Sequence, residues 1–223
     1  MDQAVLTISW QGLAYAAAPT LVVLGVLWQW KAGVGTAAYA TARMLAQLFL
    51  IGYVLVYIFE AGEPSIALAV LGIMVLVASW ISIRPLADKT PRVYGRALIA
   101  IAIPGLLVLA LVSQVVIGID PWFEPRYLVP LAGMVFSGAM NAVSLAGERA
   151  MAEAQRGTGY RETRRIALQA ALIPITNSLF AVGLVALPGM MTGQILSGVS
   201  PLVAAKYQIV VMLMLFGVCL LYT

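Results

Sequence analysis

Runs of nearly unbroken apolar residues recur near 11–30, 36–59, 65–83, 93–117, 126–147, 166–187 and 207–223. Each approaches the roughly 20 residues that one helix needs to cross about 30 Å of hydrocarbon. None alternates polar and apolar positions as a barrel strand does, and in lipid a spanning segment must satisfy its own backbone polar groups. The pattern therefore predicts an all-α polytopic membrane protein with about seven transmembrane helices. The breaks carry turn chemistry: EAGEP at 60–64, RPLADKTPR at 84–92 and IDPWFEP at 119–125. No linker, low-complexity tract or internal repeat divides the runs, so 1–223 reads as a single transmembrane domain. The last run is short, about 25 Å at 1.5 Å per residue, and lacks a basic anchor, so a longer final helix is expected.

Composition agrees with the pattern. Of the 223 residues 62% are apolar and 10% charged, with a mean hydropathy of +0.98, against roughly half and a quarter in soluble domains. The start, MDQAVLTISW, has no basic segment before its apolar residues, so no cleavable signal is expected and the first span stays in the mature protein. The one cysteine, Cys219, excludes an intramolecular disulfide and a thiolate metal cluster. With no histidine, serine–histidine hydrolysis is excluded as well. No GxxxxGK[ST] loop occurs, so the chain itself is not expected to bind ATP in that way.

Lysine and arginine set the expected orientation. Lys31, Arg84, Lys89, Arg92, Arg96, Arg149, Arg156, Arg161, Arg164 and Arg165 fall in one set of loops, and only Arg126 and Lys206 in the other. That asymmetry places the N-terminus outside and the C-terminus in the cytoplasm. It also accounts for nearly all of the net charge of +4 without a nucleic-acid partner.

Two polar features stand out. The stretch ERAMAEAQRGTGYRETRR at 148–165 combines five arginines with three glutamates. The spacing of Arg149 to Glu153 and of Glu162 to Arg165 predicts two helical pieces broken by Gly157 and Gly159. It reads either as a solvated positive-inside loop or as a docking element, its mixed charge fitting a protein surface better than a lipid one. Within the spans, Arg43 and Gln47 lie one turn apart on one face, and Gln114, Asn141, Asn177 and Ser178 are further polar positions that need a partner or water. Arg43 can snorkel to the headgroups, and the amides can act as interhelical contacts. No span carries a carboxylate deep in its middle, which favours an external energy source over proton or sodium coupling.

Several stretches resemble one family. AALIP at 170–174, VGLVALPGMMTGQI at 182–195, SPLVAAKYQIVV at 200–211, RMLAQLFLIGYVLVYIF at 43–59 and VPLAGM at 129–134 are similar to the permease family typified by the Fet iron-export ABC transporter, which also contains plant aluminium-tolerance permeases. The LPGMMxG run is the most specific of these. In the fifth span the family often has Gly-Asn where this chain has Ser137-Gly138, with Asn141 one turn on.

The resemblance implies a permease subunit of the cell (inner) membrane that dimerises and docks a separate ABC ATPase subunit. ATP and magnesium are then bound by that partner, no cofactor by this chain, and iron or another metal is exported. It makes 148–165 the coupling loop, with Glu153, Gly157, Gly159, Tyr160, Arg161 and Arg164 as contacts. The polar positions Arg43, Gln47, Asn141, Asn177 and Ser178 are then candidates for a pathway, and Pro188, Gly189, Met190, Met191, Gly193 and Gln194 read either as an irregular or re-entrant outer segment within 188–206 or as an ordinary outer loop. No catalytic residue is expected, and no metal-ligand set is legible. A stand-alone carrier or channel and a non-transporting membrane scaffold remain as alternatives, and a sugar-nucleotide cargo leaves a similar trace.

Overall fold

A computed structural model describes residues 8–220, and every named element among them is helical. In order these are α1 (Trp10–Gln29), α2 (Val34–Ala61), α3 (Pro64–Ser82), α4 (Pro91–Ala110) with a π-helical continuation (Leu111–Ile117), α5 (Pro125–Gln155), α6 (Tyr160–Ala181), α7 (Gly189–Leu196) and α8 (Pro201–Leu220). Proline opens α3, α4 and α5, at positions where a missing N–H is harmless and the fixed φ already suits a helix. The Ser9 hydroxyl caps α1 by accepting from the Gly12 N–H at 3.1 Å.

The described residues fall into two compact units, one ending at Glu60 and the other beginning at Ala61. In the first, α1 and α2 touch through stacked rings of Trp10 and Phe49, with centroids 6.0 Å apart. In the second, α5 is the central helix, packed against α3, α4, α6 and α8. Its buried face, including Leu128, Leu131, Val135, Phe136 and Ala139, meets Leu71 and Val75 of α3, Ile101 and Leu109 of α4 and Val218 of α8 in one core. Small residues let the backbones approach, as expected where lipid supplies no hydrophobic drive between helices. A Cβ on Gly105 of α4 would come within 2.9 Å of Phe136 Cε1, and one on Gly138 within 3.0 Å of Leu215 Cδ2.

Among the described residues, six helices are long and apolar enough to cross a membrane: Trp10–Gln29, Val34–Glu60, Pro64–Ser82, Pro91–Ile117, Pro125–Gln155 and Pro201–Cys219. The chain is thus an all-α, multi-pass membrane protein. The sixth expected span corresponds to α6, whose first turns carry Arg161, Glu162, Arg164 and Arg165 and whose apolar part is correspondingly short.

Two boundaries differ from the sequence expectation. The run 166–187 is helical only to Ala181, because Gly183 turns to a φ of 84° and the N–H groups of Leu184, Val185 and Ala186 all return to the Ala181 carbonyl. The final helix begins at Pro201 rather than 207. Ser200 caps the start, its carbonyl accepting from the N–H groups of Val203 and Ala204 and its hydroxyl from that of Val203 at 3.4 Å, and Pro201 opens the helix. Lys206 and Gln208 therefore lie in α8, while the expected end of this run at 221–223 lies outside the described residues. The stretch 188–206, expected to be irregular, is mostly helical: α7 fills 189–196 and packs against α8 after a turn at Gly198, whose φ is 90°.

Candidate functional site

The hairpin between α5 and α6 is the most highly organised polar region. At the end of α5 Gly157 takes a φ of 76°, a left-handed conformation that only glycine adopts without strain. This lets the Thr158 N–H reach the Glu153 carbonyl at 3.2 Å and the Gly157 N–H reach that of Ala154 at 3.1 Å. The pair of bonds is a Schellman closure, which satisfies carbonyls that a helix end otherwise leaves open. Gly159, in extended conformation, then starts α6, and the Thr163 N–H returns to its carbonyl at 2.9 Å.

Side chains lock the same turn. The Glu153 carboxylate is buried, yet accepts from Arg149 and Arg156, each at 2.9 Å, and from the Thr158 hydroxyl at 3.0 Å. A buried carboxylate needs such partners, since its desolvation is otherwise unfavourable by several kcal/mol. The two guanidiniums extend outward, so the acid is the anchor and the bases form the rim. On α6, Arg165 grips Glu162 through two bonds of 2.6 and 3.0 Å. Hydrogen bonding to Arg165 first, and its charge second, lower the Glu162 pKa below the usual carboxylate range. Tyr160, Arg161 and Arg164 stand exposed beside this pair.

The expected coupling residues thus occupy one continuous hairpin, with Glu153 inside and the others at or near the tip. Thr158 and Arg149 complete the clamp. Arg149 was legible from its spacing to Glu153, whereas Thr158 depends on the turn and leaves no helical periodicity.

The expected pathway residues are only partly gathered. Asn141 of α5 and Ser178 of α6 line one cavity of about 250 Å³, closed on the third side by Leu215 and Cys219 of α8. The Ser178 hydroxyl donates to the Pro174 carbonyl at 2.9 Å. Ser137 and Gly138, which stand where the family often has Gly-Asn, line the same cavity. Asn177, exposed on α6, is not among the lining residues. Arg43 and Gln47 stand one turn apart on α2, the first half-buried and the second exposed, in the unit that ends at Glu60. Gln114 sits in the middle of the π-helical segment, donating to the Trp122 carbonyl at 3.4 Å.

Of the expected outer segment, Pro188 precedes α7, which contains Gly189, Met190, Met191, Gly193 and Gln194. Met190 packs on the core of the second unit. The side-chain oxygens of Gln194 and of Gln208 in α8 are buried without a hydrogen-bond donor. Among the described residues, no group of three or more histidine, cysteine, aspartate or glutamate side chains is placed to hold a metal ion.

A bundle of apolar crossing helices, threaded by a few polar side chains and joined by one ordered charged hairpin, defines a polytopic integral membrane protein. Comparison with known proteins places the chain accordingly: it belongs to the family described as Uncharacterised protein family (UPF0014), which it matches over residues 10–223. It is 32% identical to a UPF0014 membrane protein of Synechocystis, across 96% of this chain and 89% of the relative. It is 32% identical to the probable iron export permease protein FetB of Escherichia coli, across 83% and 76%. The UPF0014 membrane protein STAR2 of Oryza sativa is 35% identical, across 82% and 68%. No solved structure matches the chain.

Proposed function

We propose that this chain is the membrane subunit of an ATP-driven exporter, working as a homodimer with a separate ABC ATPase subunit docked at the α5–α6 hairpin. The observation that carries the reading is the Glu153 clamp. An ATPase must transmit a displacement of its surface to a spanning helix, and a flexible loop would absorb that displacement. Here a buried carboxylate with three donors, a Schellman closure and an immediate restart at Tyr160 leave little slack. The exposed Arg161 presents a cationic contact to a partner at the start of α6.

The exported cargo in this reading is a metal cation, iron being the one named for the Escherichia coli relative. The cavity beside Asn141 and Ser178 offers neutral oxygen donors, which suit a hard or partly hydrated cation in transit better than tight storage. Arg43 and Gln47 form part of the pathway or its gate.

The test is reconstitution of the chain with its ATPase subunit in vesicles, measuring ATP-dependent iron flux. Flux that requires both subunits and ATP supports the proposal. Flux from this chain alone would make it a carrier or channel, and stable assembly without flux of any cargo in a broad panel would make it a scaffold.

A further inference from the structure

Beside the hairpin lies a second cavity, of about 370 Å³, between the end of α3, the start of α4, the last part of α5 and the start of α6. Its wall is almost wholly aliphatic, including Leu86, Val93, Ala97, Val143, Ala146 and Leu168. The polar side chains of the lining are few: Arg96 on the α4 wall and Tyr160, Thr163 and Arg164 on the α6 wall. Arg96 and Arg164 are both exposed, and neither forms a salt bridge among the described residues. Arg92, a turn before Arg96, lines an adjoining hollow with Asp88, whose carboxylate is engaged by the Thr90 N–H at 2.9 Å.

The placement along α4 is informative. Pro91 begins a membrane-crossing segment, so Arg92 and Arg96 fall in its first two turns, at headgroup depth, and the lining continues inward to Ala97 and Ala100. Two cations at that depth over an aliphatic crevice match an amphiphile with an anionic head and a hydrocarbon tail. A free phosphate would leave the aliphatic wall unused, and a zwitterionic lipid would leave the two guanidiniums without net countercharge. The geometry points to a binding site for an anionic phospholipid, with its phosphate on Arg96 and Arg164 and an acyl chain against Val93, Ala97, Val143 and Leu168.

Such a lipid bridges α4 and α6. It secures the start of α6 on the bundle at the level where the hairpin leaves it, and the Tyr160 hydroxyl supplies a further donor, the Thr163 hydroxyl being already given to the Thr158 carbonyl at 3.2 Å. Basic pockets between spanning helices are suited to anionic headgroups, and each cation near an anionic surface adds roughly fivefold to binding.

The full-length chain, purified in a mild neutral detergent, is titrated with phosphatidylglycerol, phosphatidylcholine or inorganic phosphate, and retained lipid is measured by native mass spectrometry. Phosphatidylglycerol is expected to bind more tightly than phosphatidylcholine by about tenfold or more, with inorganic phosphate a poor competitor. The pair Arg96→Gln and Arg164→Gln should remove about tenfold or more of that preference, and Arg96→Lys with Arg164→Lys should keep most of it. Ala100→Phe, which narrows the crevice without touching charge, should weaken retention of the long-chain lipid. Arg126→Gln, in the first turn of α5 and at the other end of that helix from the crevice, should change nothing. Equal retention of the two lipids, an undiminished preference in the glutamine pair, or full displacement by inorganic phosphate overturns the site. So does release of the lipid on ATPase binding, which would assign the crevice to the protein interface.

Discussion

The hydroxyl of Ser144 in α5 donates to the main-chain carbonyl of Ser82 at the end of α3, at 2.8 Å and across 62 residues of sequence. The acceptor is one of the carbonyls that α3 leaves without an intrahelical partner, and the donor stands less than one turn before Gly147. At Gly147 a Cβ would lie only 3.0 Å from Leu86 Cδ2. One hydrogen bond and one bare backbone position therefore fix how the connection after α3 lies on α5.

Ser144→Ala should lower stability by about 1 kcal/mol, since it leaves a helix-end carbonyl without its donor. Thermal unfolding of the purified chain in detergent measures this. A melting temperature equal to that of the wild type would mean that solvent replaces the hydroxyl at no loss.

Gly157→Val should destabilise the hairpin by about 1–2 kcal/mol, because a β-branched residue must be held at a left-handed φ. Gly157→Asn, better tolerated there, should lose less. Under the proposed function, the valine variant also loses ATPase assembly or coupling of ATP hydrolysis to flux. Wild-type co-purification and wild-type flux in that variant would remove the hairpin from the mechanism.

The orientation expected from the basic residues, with the hairpin in the cytoplasm and the α2–α3 turn outside, is open to a direct test. In a Cys219→Ser background, Ser65→Cys should react with an impermeant thiol reagent added outside intact cells, and Gln155→Cys only after the membrane is opened. The opposite labelling pattern reverses the orientation and moves the ATPase contact to another surface.

Arg43→Lys separates two roles for α2. A side chain that only reaches headgroups tolerates lysine, whereas one that uses the planar guanidinium fork does not. Flux is expected to fall about tenfold or more, a transition-state loss of roughly 1.4 kcal/mol, with insertion and melting retained. Gln47→Leu and Asn141→Leu should lower flux in the same way. Full flux in all three variants would leave their faces with an anchoring role alone.

The crossing elements were legible because continuous apolar length is a property of composition, and proline at 64, 91 and 125 marked three helix starts directly. The apolar count misjudged 182–187, where hydropathy stays high but Gly183 breaks the helix. It also misplaced the start of α8, where Ser200-Pro201 is a stronger signal than the lysine that follows. In the candidate site, helical spacing revealed Arg149, Glu153, Glu162 and Arg165. The juxtaposition of Asn141 with Ser178, and of Arg96 with Arg164, joins separate helices, and no periodicity within one segment encodes which neighbours a helix will have.

The early end of α6 also bears on the membrane around it. Residues 166–181 span roughly 24 Å of helix at 1.5 Å per residue, against about 30 Å for an average hydrocarbon slab. The helix is not among the six that are long and apolar enough to cross by themselves, and in a bilayer that it did cross it would be in negative hydrophobic mismatch, which a bilayer relieves by thinning locally or by drawing the adjoining backbone inward. The exposed Leu184, Val185 and Leu187 just beyond its end are well suited to share that deficit. Acyl-chain length thereby acts directly on the one helix that follows the charged hairpin, so a thick membrane strains this helix more than the long α4 and α5 beside it.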